Sequence, residues 1–282
     1  MKSQMISLKD LTWTPMSLLQ ESDPKSLFRP TLGEPRLARD ETYAKDIIKA
    51  WKADISSKSN RNNIDTLVSP FSYKDTDGID YAGGNLVIPS SIDVSKTLQK
   101  LPVVVLFHTG AGPQDIFNMY KADILCREKF WGAYGCLVFI ADILSDSTGW
   151  SWGDRDRYWK LRSSLIEVTN QAGTNCRWKL RNRVSAALNA VKSIDAVDSN
   201  KIAAWGFCLG GQPVLELARM QPSGVLGLIT FHGLFDGVSL PDQETPINCD
   251  TKRRVLVCSG KGDPYNKASD LDLAKETFEH CG

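Results

Sequence analysis

The chain has 282 residues, 42% of them hydrophobic and 24% charged, with 34 Lys and Arg against 33 Asp and Glu. Such a composition is ordinary for a soluble globular protein, and the length allows a substantial core in one large domain or two small ones. A formal net charge of +1 gives no electrostatic case for nucleic acid or a membrane surface as partner, and the longest apolar run, residues 101–107, is far too short to span a bilayer.

The seven cysteines (Cys126, Cys136, Cys176, Cys208, Cys249, Cys258 and Cys281) are odd in number and scattered, with no C-x-x-C pair. That usage argues for reduced thiols in an intracellular compartment rather than a disulfide framework. Residues 1–5 lack the apolar core of a signal peptide, and the chain has no N-x-S/T sequon. A cytoplasmic protein is expected, a monomer or weak homo-oligomer, without cofactor or metal.

In chain order, residues 16–39 carry Pro24, Pro30, Gly33 and Pro35 and read as a loop-like wrap. Asp40 then looks like an N-cap for a helix whose face holds Ala44, Ile47, Ile48 and Trp51. Residues 56–63 are polar and read as a linker. Residues 69–73 and 79–88, around Asp75-Thr76-Asp77-Gly78, predict an antiparallel hairpin. The β-branched run 101–107 predicts a central strand covered on both faces, ending in the loop His108-Thr109-Gly110-Ala111-Gly112-Pro113. Gly110 and Gly112 lack the third glycine of a dinucleotide fingerprint, so that reading is weak.

A helix over 115–130 and a buried strand over 135–141 ending at Asp142 follow. Residues 150–159 are aromatic and charged and read as a surface loop. Residues 180–192 form an amphipathic helix, with Leu180, Val184, Ala187, Leu188 and Val191 at helical spacing. Strands are expected up to Cys208, over 224–231 ending at His232, and over 254–259, followed by the turn Gly260-Lys261-Gly262-Asp263-Pro264. A last helix covers 269–280. Strand and helix alternate from residue 101 onward. The expected fold is therefore α/β, a mostly parallel twisted sheet with helices on both faces and an antiparallel edge hairpin at its start.

The stretch Gly206-Phe207-Cys208-Leu209-Gly210-Gly211 joins a strand to a helix through glycines on both sides of one Cys. Glycines at that spacing allow the tight strand–turn–helix geometry of a nucleophile elbow, with sulfur in place of oxygen. A thiol there sits at a helix N-terminus, which favours its thiolate, and the Leu209 N–H is placed to hold an oxyanion. The Gly110 loop is a candidate source of a second N–H. Asp263 follows the nucleophile on the turn after a later strand, the order in which α/β-hydrolases place their acid. His232 precedes Asp263, which is the wrong order for their base. His108 is expected to be structural, and His280 a surface residue near a helix end.

From about residue 69 onward the chain resembles the dienelactone hydrolase family of α/β-hydrolases. The resemblance rests on the Cys208 elbow, on Gly260-Lys261-Gly262-Asp263-Pro264, on Ala141-Asp142-Ile143, and on Val197-Asp198-Ser199-Asn200-Lys201-Ile202-Ala203. It implies an α/β-hydrolase domain over 66–282, preceded by an extension over 1–65 made of loop and short helix. It also implies hydrolysis of small ester or lactone substrates through a Cys-His-Asp triad and an acyl-enzyme. Cys208 would be the nucleophile, Asp263 the acid, and the amides of Leu209 and Gly110 the oxyanion hole, with Arg155 or Arg157 pairing with a substrate carboxylate. Two departures stand out. Thr109 occupies the place of a Glu that helps control the thiol. The family's catalytic His also lies one strand after the helix that follows the acid, where this chain has ended, so the last strand and helix are expected to be missing. The competing expectation is an inactive scaffold that binds or senses.

Overall fold

The computed structural model describes residues 5–21, 41–57, 65–95, 100–128, 135–144, 155–171, 174–237 and 253–281. The N-terminal part gives β1 (Thr14–Pro15), α1 (Met16–Glu21) and α2 (Glu41–Ser57). Next come β2 (Thr66–Pro70), β3 (Tyr73–Lys74), β4 (Asp80–Tyr81) and β5 (Asn85–Pro89), then β6 (Leu101–Phe107), α3 (Ile116–Arg127) and β7 (Leu137–Ala141). The middle holds α4 (Arg155–Ile166), the small ladder of β8 (Thr169–Gln171) and β9 (Thr174–Cys176), and α5 (Trp178–Lys192). The remainder is β10 (Val197–Phe207), α6 (Gly211–Met220), β11 (Val225–Phe231), β12 (Arg254–Cys258) and α7 (Ala268–Cys281).

Eight strands form one sheet in the order β1-β2-β5-β7-β6-β10-β11-β12. From β7 to β12 all neighbours are parallel, while β1, β2 and β5 pair antiparallel at the other edge. The α/β expectation therefore holds, with its antiparallel edge. The hairpin is more divided than its sequence suggests. β2 pairs with β5, while the Asp75–Gly78 turn closes a separate two-strand ladder, β3 with β4.

Strand β6 shows why the middle of the sheet is stable. Leu101, Val103, Val105 and Phe107 face one hydrophobic cluster, with Leu180, Val184 and Leu188 of α5 and Leu215 of α6. Val104 and Leu106 face another, with Ile116, Met119 and Leu125 of α3 and Trp51 of α2. A strand buried on both faces needs apolar residues at every position, which is how this one reads. Asp115 caps α3, its carboxylate accepting the Phe117 N–H at 3.1 Å.

The N-terminal segments pack on this domain. β1 extends the sheet beside β2, and the Trp51 indole N–H donates to Asp123 Oδ2 at 2.6 Å. Buried Asp123 also accepts from Thr66 Oγ1 and pairs with Arg127 Nε at 2.8 Å. Two sequence expectations change here. Residues 16–21 are helical, whereas 22–40 lie outside the described residues, and α2 continues through Ser57 into the expected linker. No helix among the described residues is long and apolar enough to cross a membrane.

Candidate active site

The strand order reverses its direction of growth between β6 and β10: β7 follows β6 on one side, and β10 lies on the other. In open α/β sheets that junction leaves a crevice at the C-terminal strand ends, where ligands bind. The Gly110 loop leaves β6 there, and Cys208 leaves β10. Both line one cavity of about 1000 Å³.

The elbow is tight enough to require its glycines. A Cβ on Gly206 would lie 2.1 Å from the Gly210 carbonyl oxygen, and one on Gly210 would lie 2.3 Å from that of Phe107. Cys208 itself has φ 54°, a left-handed conformation that is strained for a side-chain-bearing residue. Leu209 is buried within the 3-10 turn Cys208–Gly210 that opens α6, so its N–H has no acceptor in that turn.

His232 is the feature that chain order led away from. It follows β11 with φ 53°, matching Cys208 after β10. In the register of these parallel strands Phe207 faces Phe231, so Cys208 and His232 leave adjacent strands at the same level. Adjacent strands run about 4.8 Å apart. His232 Nδ1 lies 2.6 Å from Asp263 Oδ2 on the turn after β12, the next strand. A carboxylate only accepts, so Nδ1 carries the proton and Nε2 is the basic nitrogen. Cys, His and Asp thus stand in that order on three neighbouring strand ends. His232, which the sequence reading set aside on chain order, is thus hydrogen-bonded to Asp263. His280 lies in α7, and its side chain is outside the described residues.

Asp263 is held firmly. Its side chain is 3% exposed, while that of His232 is 47% exposed. Oδ1 accepts the Tyr265 N–H at 2.9 Å, and Oδ2 also accepts from Asn266 Nδ2 at 3.0 Å. Burial pushes the carboxyl up, but the hydrogen bonds from Tyr265, Asn266 and His232 outweigh it and hold it below the ordinary value. A depressed folded value makes this carboxylate stabilising above its unfolded value, with the benefit lost as pH falls through the folded one. The stability difference between wild type and Asp263→Asn should therefore be large at neutral pH and shrink below about pH 4. Urea melts across that range test this; a pH-independent difference would contradict it.

Asn266 went unnoticed in the sequence. Besides Asp263 it holds the loop after His232, accepting the Phe235 N–H at 3.0 Å and donating to the Gly233 carbonyl at 2.8 Å. A single Asn after an Asp-Pro turn carries no local signal of partners about thirty residues away.

The stretch 150–159, read as a loop, becomes helical at Arg155; residues 150–154 lie outside the described residues. α4 buries Tyr158, Arg162 and Leu165. Tyr158 packs against the Gly110 loop so closely that a Cβ on Gly110 would meet its hydroxyl at 2.7 Å. Burial first, then the nearby Cys208, pushes the Tyr158 hydroxyl up to about 12. Arg155 lines the cavity with its guanidinium 4.4 Å from the centre of the Tyr158 ring, while Arg157 is not among the lining residues. Thr109, in the place of the expected Glu, accepts the Ala111 N–H at 3.1 Å through its hydroxyl and shapes the loop. Phe207 and Phe231 stack at 5.8 Å and pave the cavity beside Cys208 and His232. Among the described residues no three His, Cys, Asp or Glu side chains converge to hold a metal ion.

A buried ionic network underlies the elbow. Glu216 of α6, fully buried, pairs with Arg181 at 2.7 Å, Arg219 at 3.1 Å and Arg177 at 3.8 Å. Burial lowers the Arg177 guanidinium to about 10, against the opposing pull of Glu216. Arg177 also bonds Gln212 and the Gly237 carbonyl, joining α6 to the loop after His232. Glu216→Gln leaves buried cations short of their anion and should cost about 3–5 kcal/mol in urea unfolding. A loss under about 1 kcal/mol would mean that the network is dispensable.

The dienelactone hydrolase family profile matches residues 90–282, well over half of the chain. A 98-residue stretch is 35% identical to the uncharacterised Caenorhabditis elegans protein K02A2.1, covering 35% of this chain and 60% of that protein. The chain thus matches less than two thirds of that relative's length. Among solved structures, m3DLH aligns with TM-score 0.56 and 25% identity, over 76% of this chain and 77% of that one. The dienelactone hydrolase-like promiscuous phosphotriesterase P91 from metagenomic libraries aligns with TM-score 0.55 and 24% identity, over 75% and 77%. The chain belongs to the dienelactone hydrolase family of the α/β-hydrolases.

Proposed function

We propose that this protein hydrolyses small esters or lactones, with Cys208 as nucleophile, His232 as base and Asp263 as the acid that orients it. The observation that carries the reading is the row of Cys208, His232 and Asp263 on the ends of β10, β11 and β12, with His232 Nδ1 bonded to the acid. His232 Nε2 takes the thiol proton, and the thiolate attacks the carbonyl carbon. The oxyanion develops between the N–H groups of Leu209 and Gly110. The imidazolium protonates the departing alkoxide, and water, activated by the same nitrogen, releases the acid and restores the thiol.

The aromatic floor of Phe207 and Phe231 suits an apolar acyl or aryl group beside the scissile bond. Of the cations that line the cavity, Lys121 and Arg155, the guanidinium of Arg155 is the one that would meet a substrate carboxylate. A reducing, cytoplasmic setting suits the chemistry because it keeps the thiol free, and Cys126, Cys136, Cys208 and Cys258 are unbridged.

The test is turnover of p-nitrophenyl acetate and of dihydrocoumarin, an ester and a lactone, by untreated protein and by protein alkylated at Cys208. Hydrolysis of at least one by the untreated protein alone is expected. Failure to hydrolyse either would overturn the reading.

A further inference from the structure

His108 lies outside the triad, is fully buried, and stands at the end of β6 immediately before the Gly110 loop. Its ring makes two hydrogen bonds, which together fix its tautomer. The Ile143 N–H lies 3.2 Å from Nε2, and a backbone N–H only donates, so Nε2 is the unprotonated acceptor. Nδ1 therefore carries the proton and donates to the Thr109 carbonyl at 2.6 Å. That carbonyl is held a second time by the Gly112 N–H at 3.1 Å.

The consequence lies one atom further along the chain. The Thr109 carbonyl and the Gly110 N–H belong to one planar trans peptide, so they point in opposite directions. Tying the carbonyl back to the buried imidazole turns the Gly110 N–H away from His108, within a loop whose Thr109, Gly110 and Ala111 line the cavity together with Cys208. Without the Nδ1 donor this peptide, with a Gly on one side, is left with only the longer bond from the Gly112 N–H to hold its carbonyl.

We propose that His108 is a positioning residue for the oxyanion site: its Nδ1–H anchors the Thr109 carbonyl and so aims the Gly110 N–H at the developing oxyanion. The inference rests on the hydrolase reading above, and its test separates the two.

Two substitutions each keep one half of the ring. Asn places an amide N–H where Nδ1 stands, retaining the bond to Thr109 and losing the acceptor for Ile143. Gln places a carbonyl oxygen where Nε2 stands, retaining the Ile143 bond and losing the donor. With p-nitrophenyl acetate, His108→Gln should lose kcat by about 10²-fold with little change in KM, whereas His108→Asn should stay within a few-fold of wild type. Alkylation of Cys208 by iodoacetamide, followed on its peptide, should proceed at the wild-type rate in both, because displacement at an alkyl carbon needs no oxyanion hole. Equal losses in the two variants, or full activity in His108→Gln, would overturn the inference while leaving the hydrolase reading intact. Absence of Cys208-dependent turnover in the wild type would instead sink the hydrolase reading. The nitrogen chemical shifts of His108 in ¹⁵N-histidine-labelled wild type test the anchor without any substitution. Protonated Nδ1 with bare Nε2 is expected, and the reverse tautomer would overturn the inference.

Discussion

Cys208→Ala should lower kcat for p-nitrophenyl acetate by about 10⁴-fold or more while leaving the unfolding midpoint nearly unchanged. In triads of this kind the nucleophile acts only with its base, so its removal erases nearly all that the triad contributes. What survives comes from the oxyanion donors and from binding. Stability is spared because Cys208 is half-buried and its strain lies in the backbone, where φ is 54° whatever small side chain is carried. Packing around the elbow comes from Gly206 and Gly210, which are untouched. Retained turnover in a folded Cys208→Ala protein would remove this thiol from the chemistry.

His232→Gln and Asp263→Asn should each lower kcat by about 10³–10⁴-fold, and the double variant should be hardly worse than either alone. In the proposed mechanism the acid serves catalysis through His232 Nδ1, at 2.6 Å, so once the imidazole is gone the carboxylate has no base to orient. Because a thiol can also ionise unaided, the His232→Gln loss should shrink as pH rises through the ordinary thiol range near 8.5. The Asp263→Asn loss should not recover in the same way, since an amide at that position favours the wrong tautomer of an imidazole that is still present. Losses that multiply in the double variant would show the two residues acting separately. An active His232→Gln enzyme at neutral pH would assign the base elsewhere.

The legible parts of the molecule are those whose cause is local. The run Leu101–Phe107 announces a doubly covered strand because every position must be apolar. The helix Trp178–Lys192 shows its inward face at helical spacing, and the elbow declares itself through glycines that no other residue could replace. α4 was obscured because one of its buried positions is an arginine: Tyr158, Arg162 and Leu165 form the inward face, and Arg162 is buried against Asp236. Apolar periodicity cannot register such a face. Glu216 and Asn266 were silent for the same reason, as their partners are brought near only by the fold.

His232 shows a different blindness. Chain order argued against it, since the base ordinarily follows the acid. A parallel sheet, however, aligns strand ends by pairing. Once β11 lies between β10 and β12, whatever follows β11 stands between Cys208 and Asp263. The left-handed conformation at His232 echoes that at Cys208, but His232 is followed by Gly233 alone and lacks the flanking spacing of glycines that marks the elbow.

The most direct test of Cys208 as nucleophile is an acid quench in the first turnover of p-nitrophenyl acetate, followed by mass analysis of the peptides. One acetyl group per chain is expected, carried by the peptide that contains Cys208. Steady ester turnover by protein whose Cys208 is fully alkylated would contradict it.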